Sequence, residues 1–151
     1  MSKDTIDCYV IPSLPLPMLL PVESIADVVK KPELETLETV PAAWMKGYVN
    51  WQNQRLPVMS YAALLDNDID ESESKKTQIV VLNAIPDAAR KAYSGLLCYG
   101  DVKKIAIDSQ VVFAEFPDGV DKRYVESIVS FQGQDYLIPR LSSLGVAFTY
   151  I

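Results

Sequence analysis

The stretch WMKGYVNWQNQRLPVMSYAALL, residues 44–65, decides how the rest of this chain is read. Residues 45–51 carry the β-branched and aromatic side chains of a strand, Gln52, Asn53 and Gln54 form a tight polar turn, residues 55–59 return as a second strand, and residues 62–65 make a short apolar helical turn. Asn53 suits the turn because asparagine tolerates a positive φ, which a short hairpin between right-twisted strands requires. Tyr48 and Trp51 fall on opposite faces of the strand. It is therefore either covered on both sides or shows one aromatic to the outside.

Outward from this hairpin, the bulk numbers set bounds. The 151 residues suit a single domain, 1–151, and suffice to bury a substantial core. With 49% apolar and 23% charged residues, the composition is that of an ordinary globular chain. The net charge of −6 gives no electrostatic basis for binding nucleic acid or an anionic membrane, both of which need clustered Lys and Arg. No charged-then-apolar start marks a signal peptide, and the proline-broken apolar run at 14–22 is too short to span a bilayer. The expected place is the cytoplasm. Cys8 and Cys98 lie far apart in strand-like sequence and read as reduced core thiols.

Taken in order, residues 5–11 and 18–22 read as strands joined by PSLPLP, a proline-rich connection in preference to a polyproline ligand. Residues 24–29, SIADVV, read as one helical turn with Ser24 as N-cap and Asp27 at its third position. Residues 32–41 form an acidic exposed loop, and residues 67–76 a polar, acidic linker. The aspartates 66, 68 and 70 lack the glycine and the placed glutamate of a calcium loop. Strands follow at 77–84 and 92–99, with a turn at 86–91, then at 102–107 and 111–116. A turn at Pro117, Asp118 and Gly119 precedes the last strands, 125–131 and 135–138.

That last hairpin repeats the first. VNWQNQRLPV, residues 49–58, lies on VSFQGQDYLI, residues 129–138, without a gap, and each is followed by a short apolar helical turn, at 62–65 and 140–144. Two subdomains follow, organised around hairpins 45–59 and 125–138. Short strands with frequent turns suggest small barrels.

Trp44, Gly47, Asn50, Trp51, Gln52, Asn53, Leu56, Pro57 and Val58 also carry a resemblance to the signature segment of CheW-like chemotaxis coupling proteins. In the variant from Trp51 to Leu64, W-x-x-Q-R-x-P-V-x-S-Y-x-A-L, the chain is similar to the ChpC-type members of type IV pilus chemosensory systems. The resemblance implies a mainly β, CheW-like fold: two small five-stranded β-barrel subdomains around a shared hydrophobic core, with short helical turns. It implies a non-catalytic adaptor that couples the cytoplasmic tips of chemoreceptors to the regulatory domain of a CheA-type histidine kinase. Other CheW-like proteins are further partners, in a bacterial pathway of type IV pilus or twitching motility, at membrane-associated receptor arrays. Partner contact then falls to Ile25, Asp27 and Val28, and to Gln52, Asn53 and Arg55, with Trp44, Gly47, Asn50, Trp51, Pro57 and Val58 as structural motif. Gln52 and Asn53 stand where the family has Arg-Gly. Asn keeps the turn, whereas Gln lacks the charge and fork of arginine.

The residues themselves point away from chemistry. There is no histidine, no glycine-rich phosphate loop and no G-x-S-x-G elbow, and two separated cysteines cannot build a zinc site. No cofactor and no metal is expected. A rival reading keeps the fold and drops the partners: a divergent β-barrel module that binds a protein or ligand unrelated to kinase coupling. A carboxylate-based enzyme is a third, supported by no acidic pair in apolar surroundings.

Overall fold

The computed structural model describes residues 5–30, 32–36, 42–66, 78–83 and 93–148. In chain order the strands are β1 (Ile6–Ile11), β2 (Met18–Pro21), β3 (Ile25–Val29), β4 (Leu34–Glu35), β5 (Met45–Trp51), β6 (Gln54–Ser60), β7 (Gln78–Leu82), β8 (Ser94–Cys98), β9 (Lys103–Ile107), β10 (Val112–Ala114), β11 (Val125–Phe131) and β12 (Gln134–Pro139). Two helices, α1 (Tyr61–Leu65) and α2 (Leu141–Phe148), follow β6 and β12. The linker at 67–76 and the turn at 86–91 lie outside the described residues.

The strands form two six-stranded sheets, β10-β11-β12-β2-β1-β9 and β3-β7-β8-β6-β5-β4. Each contains one parallel neighbour pair, β12 with β2 and β6 with β8, among antiparallel ones. The fold is thus mainly β with short helical turns, as expected. The sheets differ from the expected barrels in having six strands each, and no backbone ladder closes either one among the described residues. They nevertheless curl. Val49, Trp51, Leu56, Val58, Ile79 and Val81, from three strands of the second sheet, form a buried cluster of their own, and Cys8, Leu19 and Val129 do the same inside the first. The largest cluster lies between the sheets and includes Ile11, Met18, Leu20 and Leu137 from one and Met59, Val80, Leu82 and Leu96 from the other.

The hairpin β5–β6 turns on two residues, Gln52 (φ 47°) and Asn53 (φ 61°), so Gln54 belongs to the second strand and the three-residue turn contracts by one. Two consecutive positive φ values make the turn whose twist matches its strands. The hairpin β11–β12 does likewise with Gln132 (φ 51°) and Gly133 (φ 80°). Pro57 sits inside β6. It faces Tyr48 two pairs beyond the Asn50–Arg55 pair, where an antiparallel partner asks for no N–H, and β8 begins pairing only at Val58. Gly47, at φ +130°, follows a bulge in β5, and a Cβ there would fall 1.9 Å from the Glu35 carbonyl oxygen.

One expectation fails. Residues 25–29 are not a helical turn but the strand β3, with only a 3-10 turn, Val22–Ser24, before it. Ser24 ends that turn instead of capping a helix, and its carbonyl accepts from Asn83 N–H. The β-branched Ile25, Val28 and Val29 pair with Leu82, Val80 and Ile79 of β7, and this ladder outweighs the weak local capping pattern. The loop at 32–41 likewise contains the short strand β4, paired with β5.

Helix α1 is where the first hairpin meets the other sheet. Ser60 caps it, its hydroxyl accepting from Ala63 N–H at 3.1 Å, and all five of its residues are buried. Tyr61 donates its hydroxyl to the Tyr124 carbonyl at 2.6 Å, and Asp121 N–H donates to the Leu65 carbonyl at 2.9 Å. Burial alone pushes the Tyr61 phenol far above its ordinary pKa, so it remains a donor.

Candidate functional site

Strand β3 carries Ile25, Asp27 and Val28 along one edge of the second sheet. A bulge between Ile25 and Asp27 makes Ala26 the extra residue and re-aims Asp27. Ile25 is half-buried against the shared core, Val28 is half-buried, and Asp27 is exposed. With Ala26 and Tyr9, these three line a groove of about 260 Å³. Tyr9 comes from β1, so the groove lies where the two sheets meet.

Asp27 is held from two directions. Its Oδ1 accepts the Val28 N–H and its Oδ2 accepts Trp51 Nε1–H, both at 2.8 Å. Trp51 ends β5, is only 9% exposed, and tilts against Tyr93 with ring centroids 4.9 Å apart. A buried indole needs an acceptor for its N–H, and Asp27 supplies it from the opposite edge of the same sheet. Where no ladder closes the sheet, this side-chain bond spans the gap. A second cavity, of about 330 Å³, opens beside it between β3 and β4–β5, lined by Val29, Leu34 and Val49 with Glu33 and Glu35.

Gln52 and Asn53 are exposed at the hairpin tip, next to Trp51. Arg55 lies elsewhere. Its guanidinium meets Glu35 through Nη2 at 3.1 Å and Nε at 3.3 Å, and covers the Tyr48 ring at 3.9 Å from the centroid. Tyr48 is therefore the outward aromatic of β5, shielded by Arg55. The six candidate residues thus fall into two places. Ile25, Asp27 and Val28 join the turn through Trp51, whereas Arg55 forms a separate exposed pair with β4 and does not occupy the turn.

Sequence reasoning missed Tyr9, because its strand belongs to the other sheet, and Glu35, which reads as one acid among several in a loop. The buried Trp51 N–H demanded an acceptor, which was the available signal, though nothing local named Asp27. Also missed was Phe113, 85% exposed on the edge strand β10 beside the exposed Val112. Among the described residues, no cluster of three His, Cys, Asp or Glu is placed to hold a metal. Cys8 and Cys98 are free and buried. Desolvation raises both thiols, Cys98 to about 11, which disfavours the nucleophilic thiolate.

Residues 16–146 match the CheW-like domain family. The chain belongs to that family. The crystal structure of the scaffolding protein TtCheW from Thermoanaerobacter tengcongensis is similar in fold, with a TM-score of 0.75 and 18% sequence identity over 93% of this chain and 92% of that one. No curated protein matches the chain. Within the CheW-like signature segment, Trp44 is half-buried on the shared core and its carbonyl accepts from Ser60 N–H at 2.9 Å. Val58 is fully buried and Asn50 is exposed opposite Arg55. No helix among the described residues is long and apolar enough to cross a membrane.

Proposed function

We propose that the chain is a non-catalytic adaptor that couples chemoreceptors to a CheA-type histidine kinase, in a pathway of the ChpC type governing type IV pilus motility. The observation that carries this reading is the family match across residues 16–146. The groove where the two sheets meet supports it, since a concave site that sets Ile25 and Val28 beside Asp27 and Tyr9 can take part of a partner's helix. The receptor tip docks on Ile25, Asp27 and Val28, and the kinase regulatory domain or another CheW-like protein packs on a sheet end near Gln52, Asn53 and Arg55. The protein acts in the cytoplasm, recruited to receptor arrays. We further propose that the whole chain is a single CheW-like domain of two duplicated units, organised around hairpins 45–59 and 125–138.

The turn residues favour a specialised member. Gln52 presents neither the charge nor the fork of the family's arginine, and Arg55 is committed to Glu35, so the partner differs from that of a standard adaptor. The test is a titration of the full chain against the kinase regulatory domain and the receptor tip from the same genome, with Ile25→Asp and Gln52→Glu alongside. Micromolar or tighter binding by the parent, weakened in either variant, is the expected result. Silence toward both partners would leave a β module with a different ligand.

A further inference from the structure

Strands β1 and β2 lie side by side in the interior of the first sheet, between β12 and β9, where β8 and β7 take the matching place between β6 and β3 of the second. The two pairs are joined to their sheets differently. β7–β8 has strands on both sides of it in the sequence, whereas β1–β2 precedes every other strand and leads into β3 through one linker, Val22–Ser24. The hairpin is a unit, paired from Cys8 opposite Pro21 to Ile11 opposite Met18. On one side it holds β9, from Ile6 opposite Ile107 to Val10 opposite Lys103, and among the described residues β9 has no other ladder. On the other side its ladder is short: Leu137 stands opposite Met18, where β6–β8 runs from Val58 opposite Gly95 to Ser60 opposite Leu97. The linker is a 3-10 turn with no buried residue, set between Pro21 (φ −56°, ψ 145°) and Ile25 (φ −114°, ψ 125°), both extended. Asn83 closes it, its side-chain N–H donating to the Glu23 carbonyl at 2.6 Å and its backbone N–H to the Ser24 carbonyl at 3.0 Å.

We propose that two copies of this chain exchange their β1–β2 hairpins, so that the strands β9 to β12 of each copy are completed by the other. Straightening residues 22–24 turns β2 and β3 into one extended run, which the fixed φ of Pro21 already suits. The exchanged pair keeps every ladder of the hairpin and the burial of Ile11, Met18 and Leu20, so no core contact is given up. What it gives up is the closure of the turn on Asn83 and the freedom of two separate chains. The occupant is a second copy because the slot between β12 and β9 is shaped for this hairpin: its core residues Ile11, Met18 and Leu20 fill it, and the carbonyls of Pro12 and Pro17 accept from Tyr99 and Leu137 N–H at 3.1 and 2.9 Å. The matching pair β7–β8 is held in the chain on both sides and has no such freedom. The exchange is two-fold and closed, so it stops at a dimer. It does not depend on the adaptor reading. Its consequence for any partner is a second, identical set of binding surfaces on one assembly, which raises the apparent affinity for arrayed targets.

Asp7 of β1 and Ala106 of β9 are register partners and both are exposed, so a cysteine at either place leaves the core untouched. The full chain is made as Asp7→Cys, as Ala106→Cys with a heavy-isotope label, and as the double variant, and each is taken through a urea cycle at high concentration before oxidation. Opposed Cβ atoms lie about 4.5–5.5 Å apart, so the double variant needs only a small shift to close its own disulfide. Refolding the two single variants together should give a species of twice 16.8 kDa whose disulfide joins a labelled to an unlabelled chain. Either single variant alone should give no such bond, and neither should the two when they are refolded apart and then mixed, because a hairpin must leave its own sheet before it can be exchanged. Asn83→Ala in the parent should raise the dimer fraction read by light scattering about five-fold, the scale of one lost hydrogen bond. A parent chain that stays at the mass of one copy after the same cycle overturns the proposal. So does a dimer in which the two single variants fail to join although the double variant closes, and so does an Asn83→Ala dimer fraction equal to the parent's.

Discussion

Replacing Gly47 with alanine tests the packing on which the second sheet depends. Gly47 has φ +130°, and an added Cβ would lie 1.9 Å from the Glu35 carbonyl oxygen, 2.9 Å from Glu35 C and 3.1 Å from Thr36 Cα. All three are backbone atoms, so no side-chain rotation relieves the clash, and β4 must shift or leave its pairing with Tyr48 and Val49. The backbone conformation itself costs about 1–2 kcal/mol for an L-residue. Displacing β4 adds roughly 1–3 kcal/mol as overpacking. The sum, about 2–5 kcal/mol, is a large share of the ~5–15 kcal/mol that holds an ordinary domain folded. Gly119→Ala is the control: its φ is +83° but nothing lies within 4 Å of the new methyl. It should lose only the backbone cost, about 1–2 kcal/mol. Urea unfolding of both variants, followed by Trp fluorescence and far-UV circular dichroism, separates the two contributions. Equal losses, or a loss below about 0.5 kcal/mol for Gly47→Ala, would show that β4 does not pack on Gly47 and would remove the argument for the closed approach of the two strands.

Trp51→Phe keeps a ring against Tyr93 and removes the donor to Asp27, so a double-mutant cycle with Asp27→Ala should show coupling of about 1 kcal/mol; simple additivity would mean that the bond does not span the sheet in solution. Asp121 caps the 3-10 turn Lys122–Tyr124, and the hydrogen bonds from Arg123 hold its carboxyl below the usual range. Its folded pKa lies below its unfolded one, so its stabilisation is complete above the unfolded value and is lost as pH falls through the lowered value. Asp121→Asn should therefore lower stability near neutrality and flatten the loss below about pH 4, whereas parallel acid limbs in the two proteins would contradict this. Cys98, pushed up to about 11, and Cys8, also raised, should resist a disulfide reagent at pH 8 in the native protein and both react in urea; rapid native labelling of either thiol would place it outside the core.

The two long hairpins were legible because their information is local. Strands 45–51 and 125–131 have the bounds expected from their aromatic and β-branched content. The turn bounds slipped by one because Gln52 and Gln132 take positive φ, which glutamine seldom does. Each is followed by a residue suited to the same conformation, Asn53 or Gly133, and the pairing of Trp51 with Gln54 and of Phe131 with Gln134 carries the cost. Strand β3 was misread for the opposite reason: its partner, β7, lies more than fifty residues away, while the Ser24 to Asp27 spacing imitates a cap. The same holds for the site. Asp27 and Trp51 are twenty-four residues apart, and Tyr9 enters the groove from the other sheet. Residue types announced that an acid, an indole and apolar neighbours were present, but only the sheet order puts them together.

That order has a consequence for the groove. Reading the second sheet as successive strands β3 to β8, its lateral arrangement is first, fifth, sixth, fourth, third, second. Starting at β9 and continuing from β12 to β1 and β2, the first sheet has the same arrangement, with the single parallel pair and the hairpin bulge, at Lys46 and at Glu126, in corresponding places. The first sheet is thus begun by the end of the chain and completed by its beginning. No cut at one point in the sequence separates the sheets without removing β1–β2 from the one it completes, and those strands bring Ile11, Met18 and Leu20 to the shared core. Tyr9 reaches the groove by the same route. Because β1 is interior to its sheet, between β2 and β9, the wall it contributes opposite Asp27 is held by ladders on both sides, while β3, among the described residues, is an edge strand paired with β7 alone. One wall of the groove is therefore laddered on both sides and the other on one, and the Trp51–Asp27 bond gives the β3 wall its second attachment within the sheet.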